Sequence, residues 1–237
     1  MANEHYFSSS PESDLKLRTI HATIAGVERE LVTSNGIFSP ERIDAGTQVL
    51  LSNVPAPPPG GNLLDLGCGW GPMALTLALE SPHATVWAVD VNERALDLVR
   101  ANAEKLSILN VNAVLPADVP EDIKFMSIWS NPPIRVGKNE LHNILLNWLP
   151  RLELDADAWL VVQRTSDRIP SSVGWKPPSP TISASLAPLP TRATGCCEHA
   201  TTRSTRSTLA LFRAESSDHV EHHNCSSPAV CGSLSEF

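Results

Sequence analysis

Asn62-Leu63-Leu64-Asp65-Leu66-Gly67-Cys68-Gly69-Trp70-Gly71-Pro72 decides the fold. A short apolar run ends in an acidic residue and breaks into three glycines at alternate positions before a proline opens a helical pattern. This is a strand that delivers its C-terminal end into a tight turn. There the missing Cβ atoms let a ligand approach the backbone closely. Proline suits the first helical position, where its absent N–H has no intrahelical partner to lose.

Working outward, strand and helix alternate. Leu63–Leu66, Thr85–Val89, Val111–Leu115, Met126–Trp129 and Ala158–Val162 read as short buried strands. Pro72–Leu79, Glu93–Lys105 and Leu141–Trp148 read as helices. Short apolar strands separated by helices specify a Rossmann-like α/β fold, a doubly wound parallel sheet. Residues 55–164 form this core. Residues 1–54 read as two half-exposed strands, Leu15–Ile20 and Ile24–Val32, followed by a helix Glu41–Asn53 with Ser39 as its cap and Pro40 at its start. Pro55-Ala-Pro-Pro-Pro-Gly-Gly61 reads as a stiff connector. From Thr165 to Phe237 Ser, Thr and Pro dominate and the rhythm is lost. A disordered tail is expected there, with Leu209–Phe212 as its one strand-like piece.

The 237-residue chain carries a net charge of −8, so nothing in its overall charge draws it to nucleic acid, and any RNA contact must be local. No apolar run reaches the roughly 18–20 residues of a membrane span, and Met1-Ala-Asn-Glu-His-Tyr6 lacks the pattern of a signal peptide. A cytoplasmic protein without membrane contact is expected. Cys196, Cys197, Cys225 and Cys231 lie in the tail with no Cys-x-x-Cys spacing, and no metal is expected.

Three carboxylates stand at strand ends: Asp65, Asp90 and Asp118. In an open parallel sheet, ligands bind in the crevice outside those ends. Asp90 follows Gly71 by about 20 residues, the spacing at which a carboxylate accepts both hydroxyls of a ribose. Asp118, one strand further, suits an exocyclic amine of the base. A dinucleotide remains open on this pattern. However, the turn reads Gly-x-Gly-x-Gly rather than Gly-x-Gly-x-x-Gly, and Asp65 just before it repels a pyrophosphate. It suits the ammonium and sulfonium of S-adenosylmethionine (SAM). Asn131-Pro132-Pro133-Ile134 is the second signal. Consecutive prolines fix the backbone and remove N–H donors. The Asn131 side-chain oxygen and the Pro132 carbonyl then suit the two N–H bonds of an exocyclic amine.

Asp-Leu-Gly-Cys-Gly-Trp-Gly-Pro, Val-Asp-Val-Asn and Asn-Pro-Pro-Ile-Arg-Val-Gly-Lys together resemble the class I SAM-dependent methyltransferases. More narrowly they resemble the "methyltransferase small domain" group that contains small-subunit rRNA guanine-N2 methyltransferases. His5-Tyr6-Phe7 and Gly36-Ile37-Phe38-Ser39 also match, so the resemblance covers about residues 5–164. It implies SAM as cofactor, held by Asp65, Gly67, Gly69, Gly71, Asp90, Asn92 and Asp118. Phe38 reads either as a side chain that closes over the SAM end of the cleft or as a plain core phenylalanine. It implies an acceptor site at Asn131, Pro132, Pro133 and Ile134. Ile134 stands where relatives that methylate adenine N6 or a glutamine amide carry an aromatic residue, which favours guanine N2. Arg135 and Lys138 are candidate contacts to RNA phosphates, and the implied partner is rRNA or the small-subunit particle. Methylation of another amine or amide, and a non-catalytic SAM- or RNA-binding remnant, are the alternatives.

After Val-Val-Gln-Arg164 the resemblance stops. The family continues with a stretch like Asn-Leu-Gly-Ser-Asp-Ser-Leu-Gln-Arg-Trp, which becomes Thr-Ser-Asp-Arg-Ile-Pro-Ser-Ser-Val-Gly when read one base out of frame. Thr165–Gly174 matches that product, so a frameshift after Arg164 is expected. Loss of the family's last two strands would leave Ala158–Val162 as a bare sheet edge.

Overall fold

In the computed structural model, residues 14–132, 146–164, 182–187 and 208–216 are described. The N-terminal alternation folds as an antiparallel hairpin of β1 (Leu17–Ile24) and β2 (Val27–Ser34), with Ile24 opposite Val27. Ala25 and Gly26 both take positive φ, 48° and 73°, matching the turn to the twist of the strands. Ile24 and Leu31 point inward and are buried, whereas Leu17 and Val27 are exposed.

Helix α1 (Ala45–Asn53) begins later than expected. Asp44 is the cap, its Oδ2 accepting the Gly46 N–H at 2.8 Å. The expected cap, Ser39, has φ +47° and lies in a turn, where its hydroxyl donates to the Arg42 carbonyl. An aspartate has the same capping chemistry as a serine, so two cap signals competed within a few residues.

The main sheet holds β3 (Gly60–Leu66), β4 (His83–Val89), β5 (Val111–Val114), β6 (Phe125–Ser130), β7 (Leu152–Arg164), β8 (Ile182–Ala187) and β9 (Thr208–Ser216). Their order is β5-β4-β3-β6-β7-β9-β8. The first five are parallel, and β9 runs antiparallel to both its neighbours. Helices α2 (Pro72–Glu80) and α3 (Glu93–Lys105) make the crossovers β3 to β4 and β4 to β5. Residues 146–148 are helical, and the rest of the helix expected over Leu141–Trp148 lies outside the described residues.

The bare edge expected at Ala158–Val162 is not found. β9 pairs with β7 along its length, from Asp157 opposite Glu215 to Arg164 opposite Thr208. Arg213 reaches back to lie over the Trp159 ring at 5.1 Å and to approach Asp157 at 3.6 Å. Two pieces of the Ser/Thr-rich tail thus complete the sheet, because a strand needs only backbone groups and one apolar face to cover an edge. The remainder of the tail, with its four cysteines, lies outside the described residues.

Leu63 packs on the face covered by α2, α3 and the hairpin, and Leu64 on the opposite face with Val89, Phe125 and Ile128. Both leucines are fully buried, as a central parallel strand requires. The hairpin belongs to neither sheet edge. Asn102 of α3, also fully buried, ties it down by accepting the Val32 N–H at 2.7 Å and donating to the Val32 carbonyl at 2.9 Å. It donates as well to the Trp70 carbonyl at 3.2 Å.

Candidate active site

Strand register sets three residues in a row. Leu66 of β3 lies opposite Val89 of β4 on one side and Ser130 of β6 on the other. The next residues are therefore Gly67, Asp90 and Asn131, at neighbouring strand ends beside the point between β3 and β6 where the strand order reverses. That switch point is where open α/β sheets hold ligands.

The turn's own hydrogen bonds distinguish among ligands. Gly67 and Cys68 both donate to the Val89 carbonyl, at 2.8 and 3.1 Å, and Gly71 donates to Cys68 at 2.9 Å. Gly69 donates to Asp90 Oδ2 at 2.9 Å. At the start of α2, Pro72 has no N–H and Ala74 donates to Asp65 Oδ2 at 2.8 Å. A phosphate site at a helix N-terminus needs free N–H groups. Most of those here are committed to the protein, and Pro72 has none to offer, which disfavours a pyrophosphate at this turn.

A cation-bearing ligand fits better. Asp65 lies beneath the turn, fully buried, and its Oδ1 accepts nothing among the described residues. Burial pushes its pKa up to about 8; the Ala74 N–H works against this and the nearby Asp90 charge adds to it. Above the turn, a Cβ on Gly67 or Gly69 would meet no atom within 4 Å, and both residues have positive φ, 77° and 53°. An open backbone cradle over an under-compensated carboxylate suits the positively charged methionine end of SAM.

Asp90 is half-buried, and burial raises its pKa against the N–H bonds it accepts. Its Oδ1 accepts from Asn92 N at 2.9 Å, and the Gly69 and Val91 N–H groups also favour its charged form. Asn92 is only 2% exposed. It caps α3 by accepting from Arg94 N at 3.0 Å and donates to the Gly36 carbonyl at 2.9 Å, which braces the start of α3 against the loop after β2. Asp118 is exposed at the end of a short 3-10 turn after β5. Gly71, with φ +96°, shapes the entry into α2. Phe38 is 52% exposed, so it is no core residue. Its loop is fastened to the turn by Trp70 Nε1 donating to the Ser39 carbonyl at 3.1 Å. Cys68 is buried, and burial raises its thiol pKa well above the usual range, so it is no nucleophile.

At the acceptor end, Asn131 Nδ2 donates to Asp44 Oδ2 at 2.9 Å and to Thr47 Oγ1 at 3.1 Å. Pro132 is buried. Pro133, Ile134, Arg135 and Lys138 lie outside the described residues. Sequence reasoning missed Asp44 and Thr47, whose signal was the Asp-Ala-Gly-Thr47 run at the true start of α1. Among the described residues no group of His, Cys, Asp and Glu could hold a metal, and no helix is long and apolar enough to cross a membrane.

The family model described as "Methyltransferase small domain" matches residues 28–169, more than half of the chain. The uncharacterized protein YbxB of Bacillus subtilis is 34% identical over 165 residues, covering 68% of this chain and 82% of that protein. Ribosomal RNA small subunit methyltransferase C of Hamiltonella defensa is 39% identical over 111 residues, covering 46% of this chain but only 32% of its own length. The chain therefore spans about a third of that enzyme. Among solved structures, a Thermus thermophilus 16S rRNA N2 G1207 methyltransferase in complex with AdoMet and guanosine superposes with a TM-score of 0.59. It is 20% identical, and the match covers 87% of this chain and 52% of that one, a likeness of fold. The chain belongs to the methyltransferase small domain family and is a SAM-dependent methyltransferase.

Proposed function

We propose that the chain methylates the exocyclic N2 amine of a guanine in small-subunit rRNA, in the cytoplasm. The observation that carries the reading is Asn131, whose NH2 is held by Asp44 and Thr47 and whose oxygen accepts from no described group, beside the Gly67–Gly71 turn. When bound, SAM supplies an electrophilic methyl on a sulfonium. Gly67 and Gly69 cradle its amino-acid end over Asp65, Asp90 accepts the ribose hydroxyls, and Asp118 accepts from the adenine amine. Phe38 closes the cleft from its exposed loop.

Asn131 Oδ1 and the Pro132 carbonyl accept the two N–H bonds of the target amine and turn its lone pair toward the methyl. Alignment of this kind is worth up to several kcal/mol of the barrier. No side chain has to form a covalent bond: the N–C bond would form as the S–C bond of SAM breaks, S-adenosylhomocysteine would leave, and the amine's extra proton would pass to solvent or to an acceptor in the cleft. Guanine N2 is supported by the similarity to rRNA small subunit methyltransferases and by Ile134 in place of an aromatic residue. Arg135 and Lys138, which follow the Asn-Pro-Pro motif in sequence, are the candidate contacts to RNA phosphates.

The test is transfer of tritium from methyl-labelled SAM to deproteinised 16S rRNA and to assembled small subunits, with the modified nucleoside identified after digestion. Labelled N2-methylguanosine, strongly reduced but measurable in Asn131→Ala, is the expected result. Label in adenosine or in protein would replace the substrate while keeping the enzyme class. SAM binding with no transfer to any of these would leave the binding-remnant alternative standing.

A further inference from the structure

An asparagine amide is nearly symmetric in shape, yet its two ends are chemically opposite. Oxygen toward an incoming amine accepts its N–H, whereas NH2 toward the same amine sets donor against donor. Asn131 therefore needs something that tells one end from the other.

The start of α1 does this, 84 to 87 residues away in sequence. Asp44 Oδ2 is pinned by the Gly46 N–H at 2.8 Å and accepts Asn131 Nδ2 at 2.9 Å. An ionised carboxylate has no proton to donate, so only the NH2 end of the amide can face it. Thr47 Oγ1 takes the second N–H at 3.1 Å. Both donors of the amide are then engaged, and Oδ1 is the only hydrogen-bonding function left. Gly46 makes the approach possible, because a Cβ there would sit 2.8 Å from Asn131 Oδ1 and 2.9 Å from Nδ2.

We infer that Asp44, Gly46 and Thr47 form a positioning clamp that holds Asn131 with its oxygen as the sole free acceptor, and that this clamp sets the turnover rate. The inference rests on the proposed role of Asn131 toward an amine. The negative charge of Asp44 also polarises the amide through the shared N–H, which makes Oδ1 a stronger acceptor. The clamp touches no substrate, so its effect falls on the rate of methyl transfer rather than on SAM binding.

The variants are Asp44→Asn, Thr47→Val, Thr47→Ser, Asn131→Ala and the double variant Asp44→Asn/Asn131→Ala, assayed as full chains for tritium transfer to small-subunit rRNA. Asparagine caps a helix as well as aspartate, so Asp44→Asn keeps α1 while allowing the amide to flip. Asp44→Asn is expected to lower kcat about tenfold or more with KM for SAM and Tm nearly unchanged, in the range of misplacement effects on positioned groups. Thr47→Val should lose several-fold, and Thr47→Ser, which keeps the hydroxyl, should recover turnover relative to it. In the Asn131→Ala background, Asp44→Asn should cost nothing further, because the residue it acts through is gone. Equal turnover for wild type, Asp44→Asn and Thr47→Val, with Asn131→Ala impaired, overturns the clamp. So does a loss from Asp44→Asn of the same factor in both backgrounds, which marks a merely structural role. Full turnover by Asn131→Ala removes the amine-binding reading itself, and the clamp with it.

Discussion

Asp65→Asn separates what stabilises the fold from what attracts the cofactor. Asp65 is fully buried with one oxygen unpartnered, and its pKa rises from 3.8 to about 8. Below pH 4 the folded and unfolded chains both carry the proton, and the site costs little. Between pH 4 and 8 the unfolded chain releases it while the folded chain keeps it. Each pH unit then lowers stability by about 1.4 kcal/mol, and the loss levels off above pH 8. The full interval corresponds to a loss on the order of 5 kcal/mol, which local relaxation and water entry reduce to a few. Asparagine is neutral throughout and still offers an oxygen to the Ala74 N–H. Urea unfolding of wild type and Asp65→Asn at pH 4.5, 6, 7 and 8 should therefore diverge, with the variant gaining steadily as pH rises. Isothermal titration should show the opposite for SAM: weaker binding by the variant, and wild-type binding that releases a proton near pH 7. A stability difference that does not change with pH, or a variant less stable at pH 8, would refute the assignment of Asp65 as an under-compensated buried carboxylate.

Further outcomes follow from the packing. Asn102→Ala leaves the Val32 N–H and carbonyl and the Trp70 carbonyl without their buried partner, and should cost about 3 kcal/mol in chemical denaturation. A loss under 1 kcal/mol would mean that the hairpin is held elsewhere. Gly71→Ala forces a side chain into φ +96° and places its Cβ 3.0 Å from Val99 Cγ2, so about 1–3 kcal/mol should be lost together with SAM affinity in calorimetry. Truncation after Arg164 removes β8 and β9 and bares β7, which should show as aggregation in size-exclusion profiles; a monodisperse, SAM-binding truncation would contradict the role given to β9.

Local signals carried most of the fold. Helix α3 spans the residues its pattern indicates, Glu93–Lys105, because Asn92 caps it, Glu93 and Lys105 suit its dipole, and Leu96, Val99 and Ala103 recur at helical spacing. The glycine turn, Asp90 and Asn131 were legible for a similar reason: strand ends announce themselves where apolar runs stop. Asp44 was hidden by the equally good cap signal of Ser39-Pro40 five residues earlier, and its bond to Asn131 spans a distance no local window sees. β8, Ile182-Ser-Ala-Ser-Leu-Ala187, lacks the large residues that mark a buried strand, and its place depends on β9. The burial of Asp65 beneath the turn, rather than on its face, is a fact of three-dimensional packing with no mark in the spacing.

The order β7-β9-β8 has a consequence for the chain as it leaves the ribosome. The strand made last is not the strand placed last: β9 enters between β7 and β8. Until Thr208 onward emerges, β7 has one unsatisfied flank and β8 has nothing to pair with. At about 5–20 residues per second, the gap from Arg164 to Thr208 takes roughly 2–9 seconds of synthesis. During that time every residue of the glycine turn, and Asp44, Thr47 and Asn131, has been made, while β7 has a ladder of N–H and C=O groups still to be paired. The residues of the site are thus complete before the strand that covers β7 is made, and this interval is when the open flank is most exposed to a chaperone or a second nascent chain.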